Sequence, residues 1–430
     1  MNETTKGLFE FIEKSPTCYH ATENAVKALE GAGYTLLMEG EAWELEAGRG
    51  YYVTRNGSSV IAFRMPERVE GFMVAAAHTD SPCFRIKENP ELTAEGYTKL
   101  DTDKYGGMIL NTWLDRPLSI AGRVLVSTEQ GIESRLLNFD RDLLVIPNVA
   151  IHMDRSVNEG KKLSAQVDLL PLLGRGQIDF RAMVARALGV EKDSILSHDL
   201  MLYTRQRGTC LGPEEELILC PRLDDLQCAY ALLEGFLKTE NPKAVPVLCL
   251  FDSEEVGSRT VQGAMSTFLK DVLRRVASGA GLNAIGYRQV VAHSMMVSAD
   301  NAHGVHPNHP EKAALTSRPK LGEGVVIKYG SGYATSGISD GLLRQILKGT
   351  EVPLQRYFNH SDIAGGGTLG QLAITQVPLY TVDIGLAQLA MHSACETAGT
   401  ADTGYLIDAM KVFFGAKIRE TVPGKFDVEV

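Results

Sequence analysis

Three apolar runs in this chain end in residues that bind metal ions or move protons. Residues 72–77 (FMVAAA) run into His78, Thr79 and Asp80, residues 245–251 (VPVLCLF) into Asp252, Ser253, Glu254 and Glu255, and residues 290–299 (VVAHSMMVSA) into Asp300, Asn301, Ala302 and His303. Asp224 and Asp225 open an apolar helical stretch, and His392 stands in LAMHSACE. Imidazole and carboxylate donors without thiolates suit zinc, or manganese or cobalt, in a site that keeps coordination positions open. Two cations about 3.5–4 Å apart need one bridging carboxylate and terminal ligands on either side. His78, Glu255, Asp300, His392 and one of Asp224 and Asp225 make up such a set. Glu254, next to a ligand-type Glu255, is then a spare carboxylate able to take a proton from water. Asp80, close behind His78, is placed to orient an imidazole. Each signal alone has a plain structural reading as a turn, a solvated face or a helix cap. Their joint occurrence at the ends of strand-like runs points to a metal hydrolase.

The elements that must carry these residues follow from periodicity. A helix is expected over 5–14, stopped by Ser15-Pro16, and a second one capped by Thr22 and ended by Gly31 and Gly33. Short strands are expected at 51–54, 59–63 and 72–77. The segment 85–217 loses strand–helix alternation and has β-like pieces at 109–114, 120–127 and 143–151. Beyond 218 the alternation returns: helix 224–238, strand 246–251, helix 261–276, strands 290–298 and 324–329, helix 339–348, strand 379–386 and helix 402–416. Near-continuous apolar strands between helices predict an α/β fold with a mostly parallel, doubly wound sheet. In such sheets sites form at the carboxyl ends of strands, where the runs above terminate. The division read from this pattern is 1–84 plus 218–430 for the catalytic domain, split by a β-rich insertion at 85–217.

Composition bounds the partners. The chain has 430 residues and a formal net charge of −10, which argues against nucleic acid, and its apolar runs fall far short of a membrane span. The start, MNETTKGLFEF, lacks the pattern of a secretory signal. Seven scattered cysteines without a CxxC fit reduced thiols and a cytoplasmic protein. Among the other histidines, His303 and His306 in AHGVHPNHP read equally as a solvated loop or as substrate-site groups, whereas His309 reads as surface. The glycine-rich 364–370 (AGGGTLG) reads as a tight, open turn rather than a phosphate loop.

The ordered motifs SPTCYHAT (15–22), AAHTDSP (76–82), YGGMILNTWLDRPLSIAGRV (105–124), IPNVAIHMDR (146–155), PRLDDL (221–226), FDSEEVGS (251–258), SADNAHGVHPN (298–308) and LAMHS (389–393) resemble the aspartyl aminopeptidase family of dinuclear zinc metallo-aminopeptidases. The resemblance covers nearly the whole chain. It implies a zinc-exopeptidase-like fold, peptide substrates and two Zn2+ per subunit. One zinc would be held by His78 and Asp300 and the other by Glu255 and His392, with Asp224 bridging both, Glu254 the base and Asp80 the orienter. It further implies that the insertion is a dimerisation domain, that dimers build a tetrahedral dodecamer, and that His152 reaches a neighbouring subunit's site. Acidic N-terminal residues would be preferred, with Lys328 as the pocket cation and Tyr333 and Gly366 in substrate-pocket segments.

The chain departs from the family at Asp225 and Ser253, where Asn is usual, in a shortened 326–335 that lacks an Arg before Tyr333, and at Gln371, where Pro is common. The pocket departures bear on acidic specificity and leave the metal ligands intact. Two competing readings stand beside the aminopeptidase: a self-assembling shell or cargo protein without catalysis, and a dizinc deacylase on the same fold.

Overall fold

The computed structural model describes residues 1–239 and 242–430. Its larger sheet runs in the order 35–36, 50–55, 59–64, 245–251, 72–78, 295–299, 380–389, 396–399, 217–220, 209–211, with 302–303 and 325–329 paired to the 380–389 strand and 354–358 paired to 325–329. The four central strands, 245–251, 72–78, 295–299 and 380–389, are parallel neighbours. Both outer flanks are largely antiparallel, from 59–64 outward on one side and from 396–399 on the other. The sheet is therefore mixed rather than mostly parallel.

Helices cover both faces, which is why the central strands are buried throughout. Met73, Ala75 and Ala77 share a core with helices Leu223–Leu237, Gly337–Ile346 and Asp402–Gly415, while Phe72, Val74 and Ala76 pack with Phe268–Gly279 and Ala284–Ala292. This is the two-residue period of a strand facing two layers. Helices 223–237 and 402–415 approach closely at Gly235, where an added Cβ would lie 2.6 Å from Met410 Cβ. Among the described residues no helix is long and apolar enough to cross a membrane.

A second sheet of six strands, in the order 131–138, 118–128, 195–204, 83–94, 97–105, 172–175, packs with helix Phe180–Leu188 around its own core of Phe84, Trp113, Ile120, Leu200 and Phe180. Its strand 83–94 begins five residues beyond His78, so the chain passes from one sheet to the other through a short connection at 79–82.

Several expectations are corrected. The second helix spans Cys18–Gly31 with Thr17 at its cap, so Thr22 lies inside it. Residues 109–114 form a 3-10 turn, Leu110–Trp113, and 143–151 contribute only isolated bridges. The helix expected at 261–276 starts at Phe268. The strand expected at 290–298 is a helix end followed by strand Met295–Ala299, because Val290 and Val291 fill the buried face of helix 284–292 and the chain turns at His293-Ser294. Strand Leu354–Phe358, the short helix Leu369–Ala373 and the hairpin 417–422/425–429 had no distinct signal.

Candidate metal centre

His78 is the last residue of strand 72–78 and pairs with Phe251, so this strand and 245–251 end side by side. Asp300 follows strand 295–299, Glu254 and Glu255 open a 3-10 turn just past Phe251, His392 follows strand 380–389, and Asp224 lies in the first turn of helix 223–237. Parallel strands thus deliver their ligand-type residues to one rim.

There the two oxygens of Asp224 face two imidazoles. Its Oδ1 lies 3.4 Å from His78 Nε2 and its Oδ2 lies 3.3 Å from His392 Nε2, while Glu255 Oε2 lies 3.4 Å from the same His392 nitrogen. Single donor atoms of His78, Asp224, Asp225 and Asp300 lie within 4.8 Å of one another, as do those of Asp224, Glu255 and His392, and those of His78, Glu254 and Glu255.

The electrostatics call for cations. Burial opposes ionisation of Asp224, yet His392 and His78 overcome it and hold this carboxyl well below the usual range. Burial pushes Glu254 up to about 8, helped by the charges of Asp300, Asp80 and Asp224. Burial raises Glu255, Asp225 and Asp300 as well, and neighbouring carboxylates add to it. Asp224 Oδ1, Asp225 Oδ1 and Glu255 Oε1 are buried without a hydrogen-bond partner. A buried carboxylate oxygen left in that state is costly unless a cation meets it. The donors are nitrogen and oxygen only, which fits zinc, manganese or cobalt.

The surrounding contacts act mainly through the main chain. His78 Nδ1 lies 3.0 Å from the Asp80 carbonyl and 3.4 Å from Asp80 Oδ1, which leaves Nε2 facing the centre. The Asp80 carboxylate makes shorter contacts elsewhere. It accepts the Tyr105 hydroxyl at 2.7 Å and the N–H groups of Glu254 and Glu255 at 3.1 Å each. Its clearest work is therefore to hold the Glu254-Glu255 turn, beyond the imidazole role read from sequence. Asp225 Oδ2 accepts the His78 N–H at 3.1 Å. Gly106, at φ +74, passes so close that an added Cβ would lie 3.1 Å from Glu255 Cβ.

Lys328, the pocket cation implied by the resemblance, is buried against Asp300. It is 2% exposed, its Nζ donates to the Asp300 carbonyl at 2.6 Å and lies 3.5 Å from Asp300 Oδ2, and the Tyr333 ring covers it at 5.3 Å. Beside it His303 meets Tyr357 edge-on at 5.9 Å, and burial lowers its pKa, with Lys328 adding to the shift. His303, His306, Lys312, Tyr357, His360 and Gly366 line a cavity of 290 Å³ that has no carboxylate in its wall. His309 pairs with Glu311 at the surface. His152 is exposed in the 151–153 turn, and among the described residues no hydrogen bond or ion pair joins it to the candidate ligands of its own chain.

Sequence reasoning missed Glu396, which accepts the N–H of Asp224 at 3.0 Å and that of His392 at 2.7 Å. Its only sequence signal is an acidic residue at the start of a short run of small residues, ETAG. Tyr105 and Gly106 were noted only as part of a motif.

The M18 family of peptidases, described as aminopeptidase I zinc metalloproteases, matches residues 11–414. "Probable M18 family aminopeptidase 2" of Clostridium novyi (strain NT) is 41% identical over 421 residues, covering 95% of this chain and 97% of that protein. The protein of the same name from Pseudomonas aeruginosa (strain UCBPP-PA14) is 40% identical over 427 residues, covering 96% and 98%. Among solved structures, the cryo-EM structure of the Ape4 and Nbr1 complex superposes with a TM-score of 0.93 at 32% identity, covering 96% of this chain and 85% of that one. The S. cerevisiae mApe1 dodecamer superposes with a TM-score of 0.85 at 27% identity, covering 96% of each. These findings set aside the shell-protein and deacylase readings. The chain belongs to the M18 family of zinc metalloproteases and is an aminopeptidase.

Proposed function

We propose that the enzyme removes N-terminal residues from peptides with a dinuclear zinc centre, held by His78 and Asp300 on one side, Glu255 and His392 on the other, and Asp224 between them. The observation that carries this reading is the Asp224 carboxylate, whose separate oxygens face His78 and His392. When bound, the two cations supply Lewis acidity to the scissile carbonyl and make water acidic enough to be deprotonated near neutral pH. Glu254 accepts the proton of the attacking water and returns it to the leaving amine. Its buried position next to three other carboxylates raises its proton affinity, which suits a group that must both take and give a proton. Asp80 fixes Glu254 through its N–H, so the base approaches from a set direction.

Acidic N-terminal residues remain the preferred class in this proposal, but the recognising charge is assigned to Lys312 in the cavity beside His303 rather than to Lys328 alone. A wall with His303, His306, Lys312 and His360 and no carboxylate suits an anionic side chain. We further propose that 85–217 is the inserted dimerisation domain, that subunits assemble as a tetrahedral dodecamer with His152 serving a neighbour's site, and that the enzyme works in the cytoplasm. The dodecameric state of mApe1, the exposed Val149, Ile151, His152 and Met153, and seven cysteines as free thiols support these readings.

The test is a panel of aminoacyl chromogenic substrates with metal-depleted enzyme reconstituted with zinc, manganese or cobalt. Two metals per chain at full activity, no cleavage of N-acetylated peptides and faster turnover of aspartyl or glutamyl substrates are expected. Full activity with a single metal overturns the dinuclear centre, and faster leucyl than aspartyl cleavage overturns the acidic preference.

A further inference from the structure

Glu396 lies outside the proposed ligand set, yet its carboxylate grips two members of it at once. Oε2 accepts the Asp224 N–H at 3.0 Å and Oε1 accepts the His392 N–H at 2.7 Å. The side chain is buried, at 2% exposure. Glu396 opens strand 396–399 and lies opposite Cys220 in the antiparallel strand 217–220. One strand leads forward through a turn to Asp224, and the other is entered from the turn that carries His392. The carboxylate therefore stands where both turns converge.

Both turns are conformationally unfavourable for the residues they contain. Arg222 has φ +55 in the first, and Ala390 and His392 have φ +57 and +66 in the second. Non-glycine residues enter this region at a cost and need their surroundings to keep them there. At His392 the surroundings are the Glu396 carboxylate on its N–H and the Ile109 N–H, which donates to its carbonyl at 3.0 Å.

We infer that Glu396 is a positioning residue that couples Asp224 to His392 and sets the affinity of the metal position formed by Asp224, Glu255 and His392. The other position has separate supports. The His78 N–H is held by Asp225, and the Asp300 carbonyl is held by Lys328. Loss of Glu396 thus acts on one position more than the other. The inference rests on the dinuclear reading above.

The experiment is a titration of Zn2+ into chelator-stripped wild type, Glu396→Gln and Glu396→Ala, followed by calorimetry and by competition with a chromophoric chelator, with thermal melts of the metal-free forms alongside. Wild type is expected to take up two ions. Glu396→Gln keeps the size of the side chain and one acceptor, but its NH2 opposes the other N–H. One of its two uptakes is expected to weaken about 10–100-fold, the range for loss of a group that orients a ligand, with the other changed less than about threefold. Glu396→Ala is expected to weaken the same uptake further, and Glu396→Gln carries the test if Glu396→Ala does not fold. A merely structural role would weaken both uptakes alike. Two unchanged uptakes, or two equally weakened ones, overturn the role of Glu396. A wild type that takes up a single ion overturns the dinuclear reading instead.

Discussion

Replacing Asp80 with Asn separates two roles that the same residue could play. Its carboxylate accepts three hydrogen bonds, from Tyr105 and from the N–H groups of Glu254 and Glu255. In Asp80→Asn one oxygen becomes an NH2, so one of the two N–H groups on the Glu254-Glu255 turn meets a donor instead of an acceptor. Hydrogen bonds to a charged acceptor contribute about 1.5–3 kcal/mol each. Loss of one, with the other weakened by the missing charge, amounts to about 3 kcal/mol. If that loss falls on the placement of Glu254 in the transition state, kcat/KM drops about 100-fold, most of it in kcat. The His78 ring keeps its contact with the Asp80 carbonyl, which the substitution leaves in place. Metal content is therefore expected to stay at the wild-type level. The assay combines kcat and KM on an aminoacyl substrate with metal analysis of the same preparations. A loss of metal that accounts for the whole loss of activity would refute this account and restore Asp80 as mainly an imidazole orienter. Less than a threefold change in kcat would remove it from both roles.

Other substitutions report on separate parts of the molecule. Glu254→Gln is expected to keep the metals and lower kcat by about 10²–10⁴, as for loss of a general base, so near-normal turnover with full metal would exclude Glu254. Lys328→Met removes the donor that holds the Asp300 carbonyl, and it is expected to weaken metal binding and slow acidic and neutral substrates to a similar degree; a selective loss of acidic substrates with metal intact would return Lys328 to the specificity pocket. His20 is buried, with Nδ1 2.9 Å from Thr17 Oγ1, and burial lowers its pKa from 6.5 to about 4. The unfolded chain then takes up a proton below 6.5 that the folded chain refuses until about 4. The stability that His20 protects is present above 6.5 and falls by up to about 3 kcal/mol as pH drops through this window. Denaturant melts of wild type and His20→Gln from pH 4 to 7 are expected to show a shallower fall in the variant, and parallel curves would refute it.

The candidate ligands His78, Glu255 and Asp300 were legible because each apolar run ends in a buried strand, and a buried strand must end where polar residues can reach solvent or a metal. The choice between Asp224 and Asp225 was not legible, since adjacent residues share every sequence signal. What distinguishes Asp224 is that its two oxygens face opposite imidazoles, whereas Asp225 holds the His78 main chain. Lys328 was visible as a cation at a strand's end, but its bond to Asp300 depends on a strand from another part of the chain. Glu396 was hidden for the same reason, because its partners lie 172 and 4 residues away and only the strand pairing brings them together. The antiparallel flanks escaped notice because order within a sheet is set by long-range pairing, which periodicity does not encode.

The six-stranded sheet touches the metal centre through more than chain continuity. The Tyr105 hydroxyl donates to Asp80, the Ile109 N–H donates to the His392 carbonyl, and Thr112 Oγ1 accepts the Ala394 N–H at 2.9 Å. All three contacts come from the segment that leaves strand 97–105 toward strand 118–128. Whatever displaces that segment also displaces the supports of His392 and of the Glu254-Glu255 turn. Thermodynamic linkage makes such a coupling reciprocal. If subunits associate through this sheet with a shift of residues 105–113, association must change metal affinity, and metal loading must change the association constant by the same factor. Assembly and metal loading would then be two readouts of one equilibrium, and chelation would shift the oligomer's association without removing any contact at its interface.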